Sequence, residues 1–220
     1  MRARALGVLL GAAALALVPA GAASAHPLGN FTVNTADRVV VTANGLQVVH
    51  VVDLAEIPTV QLGQARAGVD TDRDGTLAPT ELTAYAGREC ARVAPLLSVV
   101  VDGADAPLTL ASATGTARPG AAGLATTRLE CTYDAGASAR SSVDFTDGAA
   151  GERNGWREVT AASDCGALRG SSVPADSPSG LLSSYPEDLL QSPLDVTAAR
   201  FEIGTAGPCT AGSGSNSSSW

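Results

Sequence analysis

Residues 38–52 read RVVVTANGLQVVHVV. Two β-branched runs flank Asn44-Gly45, the dipeptide that supplies positive φ at both centres of a type I′ turn. The stretch is therefore read as a β-hairpin. A two-residue Asn-Gly loop sets Ala43 opposite Leu46, Val41 opposite Val48 and Val39 opposite His50. One face of this hairpin is apolar, and the other carries Arg38, Thr42, Gln47 and Asp53. An apolar face must be covered, so the hairpin belongs in a layered β fold.

Working outward, the pattern continues in both directions. Asn30 to Asn34 is a short strand candidate. Asp53 to Ala67 (DLAEIPTVQLGQARA) shifts to helical spacing, best over Val60 to Ala67, with Pro58 near its start where proline is tolerated. A second helix is expected over Pro79 to Ala94. The second half is richer in strands: Leu97 to Val101 and Pro107 to Leu110 around an Asp102-Gly103 turn, then Leu124 to Tyr133, Ser141 to Thr146, Trp156 to Ala161 and Asp195 to Ile203. Leu181 to Leu190 has the spacing of a short helix. The expected fold is α+β, mainly antiparallel β and sandwich-like, with a helix–loop–helix insertion.

The loop of that insertion, residues 70–81, reads DTDRDGTLAPTE. It matches D-x-D-x-D-G-x₅-E at every signature position. Calcium takes six to eight oxygen ligands, and a twelve-residue loop supplies them at fixed places. Asp70, Asp72 and Asp74 are the expected side-chain ligands at positions 1, 3 and 5. Gly75 makes the sharp turn, Thr76 offers its backbone carbonyl, Leu77 packs inward and Glu81 supplies two oxygens. Ala78 has no donor at position 9, so water serves there. Such loops usually pair, and no second one is found. A lone loop reads as a structural Ca²⁺ site and not a switch.

Composition fits an exported binding protein. Of 220 residues 45% are hydrophobic and 16% charged, with a net charge of −8. All 14 basic residues are arginine. Such an acidic balance argues against nucleic acid and anionic lipid, and suits cations. Arg2 and Arg4, the apolar run Ala5 to Val18 and the small-residue site Ala23-Ser24-Ala25 read as a secretory signal peptide over residues 1–25. The mature chain is expected to begin at His26, with a β-rich domain over 26–205 and a disordered Gly/Ser-rich tail over 206–220. The longest later apolar run, Val93 to Val101, is too short to span a bilayer and contains Pro95.

Cys90, Cys131, Cys165 and Cys209 are an even set in an exported chain, which reads as two disulfides with three connectivities. We favour Cys90 with Cys131 and Cys165 with Cys209, the second pair tethering the C-terminus. No zinc-like spacing occurs. His26 is a second candidate metal ligand. A mature N-terminal histidine offers its α-amine and a ring nitrogen together, a chelate for Cu²⁺, Ni²⁺ or Co²⁺. Pro27 removes the amide nitrogen that would follow, so further ligands must come from elsewhere. His50 sits on the apolar face of the hairpin, where a buried, hydrogen-bonded role is expected. No G-x-S-x-G, no H-E-x-x-H and no cysteine–histidine pair is present, and no enzymatic role is expected.

Several phrases carry a resemblance. HPLGNFTVN (26–34), VVDLAEIPT (51–59), DTDRDGTL (70–77), TRLEC (127–131), VDFTDG (143–148), GWREVTA (155–161) and SYPEDLLQSPLDV (184–196) resemble the extracytoplasmic N-terminal domain of bacterial nickel/cobalt permeases. The resemblance covers His26 to about Arg200. In that family a membrane domain follows and moves Ni²⁺ or Co²⁺. These residues contain no such domain, and the family's ion-path histidines have no counterparts here. What the resemblance implies is an extracytoplasmic accessory domain beside a membrane metal permease, either a stand-alone relative or a truncated product. The alternative expectation is a metallochaperone that captures Ni²⁺, Co²⁺ or Cu²⁺ through His26.

Overall fold

The hairpin forms, and it sets the frame for everything else. β1 (Val33–Thr42) pairs antiparallel with β2 (Gly45–Leu54) over ten residues each. The computed structural model describes residues 26–64, 68–136, 142–149, 151 and 154–206. The expected leader, all but the first residue of the expected tail, and Cys209 lie outside these.

The register differs from the one expected. Thr42 pairs with Gly45, Val41 with Leu46, Val39 with Val48 and Asp37 with His50. The loop is Ala43-Asn44, not Asn44-Gly45, and neither loop residue has positive φ. Thr42 causes the slip. Its hydroxyl accepts the Asn44 N–H and donates to the Gly45 carbonyl, at 3.2 and 2.9 Å. A slip of two residues preserves the faces, because side chains alternate with a period of two. It changes which partner each side chain meets.

Two five-stranded sheets result, ordered β5-β6-β2-β1-β8 and β4-β3-β7-β10-β9. The remaining strands are β3 (Leu97–Val101), β4 (Ala104–Asp105), β5 (Thr109–Pro119), β6 (Ala125–Asp134), β7 (Ser142–Asp147), β8 (Arg157–Ser163), β9 (Gly166–Arg169) and β10 (Ala198–Ala206). Among the described residues every pairing between these strands is antiparallel except β1 with β8, which is parallel. The fold is α+β and sandwich-like, as expected. Between the layers, Val39, Val41, Leu46, Val48, Tyr133 and Val159 of the first sheet share one core with Leu97, Val99, Val143, Phe145 and Phe201 of the second. Each such side chain contributes about 1.5–3 kcal/mol on burial.

The true type I′ turn lies elsewhere. Asp102 and Gly103 have φ of 52° and 82°, and they join β3 to β4. The strand expected over Pro107 to Leu110 resolves into the long β5, and β9 was not foreseen.

Two α-helices appear among the described residues, α1 (Glu56–Leu62) and α2 (Pro79–Val93). The first expectation, a helix over Asp53 to Ala67, is corrected here. Asp53 and Leu54 complete β2, and α1 closes at Gly63. Residues 65–67 lie outside the described residues, and Gly68 with φ of 63° is not helical. α2 begins at Pro79, as expected. It buries Leu82, Ala86, Cys90 and Val93, the stripe of an amphipathic helix laid on β5. The approach is close: a Cβ on Gly115 of β5 would stand 2.4 Å from the Leu82 carbonyl oxygen. Cys90 is joined to Cys131 of β6, the pairing favoured above. Cys165 is also disulfide-bonded.

The outer face of the first sheet is covered by the segment between β9 and β10. Leu182, Tyr185, Leu189 and Leu194 pack there with Ala36, Val51 and Trp156. The helix expected over Leu181 to Leu190 does not form. Leu181 and Leu182 have φ of 55° and 63°, and only a 3₁₀ turn at Glu187–Leu189 is helical. The hydroxyls of Ser177 and Ser179 take the Leu181 and Leu182 N–H groups, an alternative to helix that serine commonly offers.

Candidate metal sites

The acidic loop is built by side chains that hydrogen-bond to their own backbone. Asp70 Oδ1 accepts the Arg73 N–H at 2.7 Å and Oδ2 accepts the Gly75 N–H at 3.1 Å. Asp72 accepts from Asp74 N–H at 3.2 Å, and Asp74 from Thr76 N–H at 2.7 Å. These bonds wind the chain tightly, with φ of 62° at Arg73 and 84° at Gly75. Gly75 thus makes the turn assigned to it. Carboxylate oxygens of Asp70, Asp72 and Asp74 come within 4.8 Å of one another. Two such charges repel by about 1 kcal/mol even through water.

Glu81 is not part of that converging set. It sits at the third position of α2 and turns back to close the loop. One oxygen accepts the N–H and hydroxyl of Thr71, and the other accepts the Ala78 N–H at 3.0 Å. These donors hold its carboxyl down at about 2, with the Thr71 hydroxyl the strongest cause. Thr76 is exposed, and Leu77 is only half-buried. The loop therefore abuts α2 directly, whereas α1 ends eight residues before Asp70.

His26 lies on the outer face of the first sheet, and it is buried. Its Nε2 is 2.7 Å from Asp53 Oδ2, with the Asn34 amide at 3.3 Å; Nδ1 makes only a long 3.5 Å contact with the Thr32 hydroxyl. The Tyr185 hydroxyl donates to the same Asp53 oxygen at 3.1 Å, and its ring leans on those of His26 and Trp156. Asp53 is thus the hub that joins the His26 segment, β2 and the covering segment. Burial and the Asp53 charge push the Tyr185 hydroxyl far above its ordinary range.

Glu56 opens α1 two residues after β2 and lines the same pocket as His26 and Asp53, about 220 Å³ in volume. It is 1% exposed. Its Oε1 accepts the Ala121 N–H at 2.7 Å, while its Oε2 has no hydrogen-bond partner among the described residues. A buried carboxylate oxygen without a partner is costly.

A third group sits inside the sandwich. His50 Nδ1 is 2.8 Å from Asp37 Oδ1, and Asp147 of the opposite sheet completes a buried trio within 4.8 Å. Burial, opposed by His50, raises the Asp37 carboxyl from 3.8 to about 6. The His50 imidazole is raised as well: burial, the largest single cause, works against its charge, and the Asp37 charge and hydrogen bond together with the charges of Asp147 and Glu89 outweigh it. The sequence placed His50 in the core and missed both aspartates, because the slipped register is what sets Asp37 opposite His50. Asp53, Glu56, Asn34 and Tyr185 were also missed as site residues; three of them fall in the phrases HPLGNFTVN and VVDLAEIPT.

No protein family, curated protein or solved structure matches the chain. The chemistry must therefore be argued from these side chains. The acidic loop offers only oxygen donors, which suit a hard dication such as calcium. The His26 pocket offers nitrogen and oxygen together, which suits softer divalent ions. In the Asp37–His50–Asp147 trio, His50 is already paired with Asp37 at 2.8 Å. Among the described residues no helix is long and apolar enough to cross a membrane.

Proposed function

We propose that this chain is an exported binding module whose acidic loop, residues 70–81, takes one structural calcium ion. The observation that carries the reading is the convergence of the Asp70, Asp72 and Asp74 carboxylates around a loop already wound by its own hydrogen bonds. Three like charges gathered in this way relax when a dication sits among them. Thr76 would add its carbonyl, and Glu81 would rotate from Thr71 to give its two oxygens. The loop with its exit helix α2 is then a one-sided EF-hand-like unit, entered from an irregular segment.

The extracytoplasmic setting is supported by the buried Cys90–Cys131 disulfide, a bond that persists in oxidising compartments. The phrases that resemble nickel/cobalt permease domains make a membrane metal permease the favoured partner class. Capture of a transition metal through His26 is the second reading, and the lone Glu56 oxygen in the His26 pocket favours it.

Calorimetric titration with Ca²⁺, paired with thermal melts in calcium and in chelator, tests the calcium reading. One equivalent should bind with Kd on the order of 10⁻⁴–10⁻³ M, and the melting temperature should rise. Asp70→Asn combined with Asp74→Asn should abolish both effects. Identical melts in calcium and chelator would refute the reading.

A further inference from the structure

We infer that the pocket lined by His26, Asp53 and Glu56 is a second cation site, formed only in the mature chain, that takes a late first-row divalent ion through nitrogen and oxygen donors. The inference rests on the export reading and deepens the capture reading by naming the groups that complete the site.

His26 anchors the site. Nε2 faces the Asp53 carboxylate at 2.7 Å, which fixes the ring; with the proton on that nitrogen, the lone pair falls on Nδ1. Its one other neighbour, the Thr32 hydroxyl, is at the limit of hydrogen bonding. A carboxylate behind one ring nitrogen is the usual support for a histidine that ligates through the other, and it raises the basicity of that ligand. Cleavage after Ala25 would place an α-amine on the same residue. Nδ1 and that amine close a six-membered chelate ring on a metal ion. Pro27 has no N–H to give up, so the third donor must come from across the pocket.

Glu56 provides it. Its side chain is buried, it lines the same pocket, and one of its oxygens is without a partner. The Oε1 bond to Ala121 N–H holds the carboxylate in place. Gly120 keeps this position narrow, since a Cβ there would stand 2.8 Å from Glu56 Oε1. A dication with neutral amine and imidazole would face the Asp53 and Glu56 carboxylates, with Arg118 the one cationic side chain in the lining, and the α-ammonium would release its proton to solvent on binding. Two nitrogens with a carboxylate favour Cu²⁺ over Ni²⁺ and Co²⁺ by the ordinary affinity order.

The test uses the chain from His26 to Trp220, prepared with a free α-amine in saturating calcium and titrated with Cu²⁺. One equivalent should bind, with two nitrogen couplings in the electron paramagnetic resonance spectrum. Acetylating the α-amine should weaken binding a hundredfold or so, and Asp53→Asn on the order of 10–100-fold. Glu56→Gln should weaken it by roughly the same amount as Asp53→Asn. Failure of the free-amine chain to bind, or equal binding by the acetylated chain or by Glu56→Gln, overturns the proposal. Should Glu56→Gln not fold, the acetylated chain decides alone, because it leaves every side chain intact. Mass spectrometry of the secreted protein separately reports whether His26 is the exported N-terminus, so a failed export reading is told apart from a failed metal site.

Discussion

Raising the pH should loosen the sandwich from within, through Asp37. This carboxyl sits between the sheets, 2.8 Å from His50 Nδ1 and facing Asp147 of β7, with Glu89 of α2 and Tyr133 of β6 also acting on the group. Its value in the folded chain is about 6 against an ordinary 3.8. A raised carboxyl binds its proton more tightly when folded. The stability it gives is therefore complete below about pH 4 and is lost as the pH rises through 6. The difference, about two units, corresponds to about 3 kcal/mol. For a domain of this size that is roughly 6–12 °C in melting temperature. His50 acts in the same direction, since it too is raised, and its share is lost above its ordinary value of 6.5. Calorimetric melts from pH 4.5 to 7.5 in saturating calcium, compared between the natural chain and Asp37→Asn, isolate the effect. The difference in stability between the two proteins should shrink by about 2 kcal/mol across that range, the remainder having been lost below pH 4.5. A difference that stays constant, or grows with pH, would show that Asp37 carries no folding-linked proton.

Other outcomes follow from the same contacts. Replacing both Cys90 and Cys131 with alanine frees a loop closed over 41 residues, and equilibrium unfolding in urea should show a loss of about 4 kcal/mol. Gly115→Ala places a Cβ 2.4 Å from the Leu82 carbonyl, so β5 and α2 must part; urea unfolding should show a cost of about 1–3 kcal/mol. Glu81→Gln removes a carboxylate held at about 2 by Thr71 and Ala78. The natural chain should then lose stability as the pH falls from about 4.5 toward 2, and the variant should lose less, read by circular dichroism at 222 nm.

Much of the layered fold was legible because its strands alternate or run apolar between turn residues. Leu97–Val101 is bounded as read, and Asp102-Gly103 turns as its composition demands. β5 was largely missed for a physical reason. TLASATGTARP has almost no apolar side chains to alternate. It is held by its backbone bonds to β6 and by the α2 helix laid across it, neither of which leaves a periodic trace. The hairpin register escaped because Thr42 competes for the turn, and Asn-Gly alone does not reveal that competition. At the acidic loop the spacing of Asp70, Asp72 and Asp74 was enough, since local backbone bonds dictate the geometry. The His26 pocket was not, because His26, the Asp53 to Glu56 stretch and Tyr185 meet there from three separate parts of the chain. The phrases that contain them look like generic strand and turn until the covering segment is folded over them.

The parallel pairing of Thr35 with Arg157 has a cost in time. A chain is made from its N-terminus, so β1 and β2 can associate early while the strand that completes their edge is still more than a hundred residues behind them. For that interval one flank of β1 is an open hydrogen-bonding rim rich in valine, an invitation to pair with another nascent copy. Crowding among nascent copies, more than any property of the finished molecule, should therefore set how much of this protein is recovered.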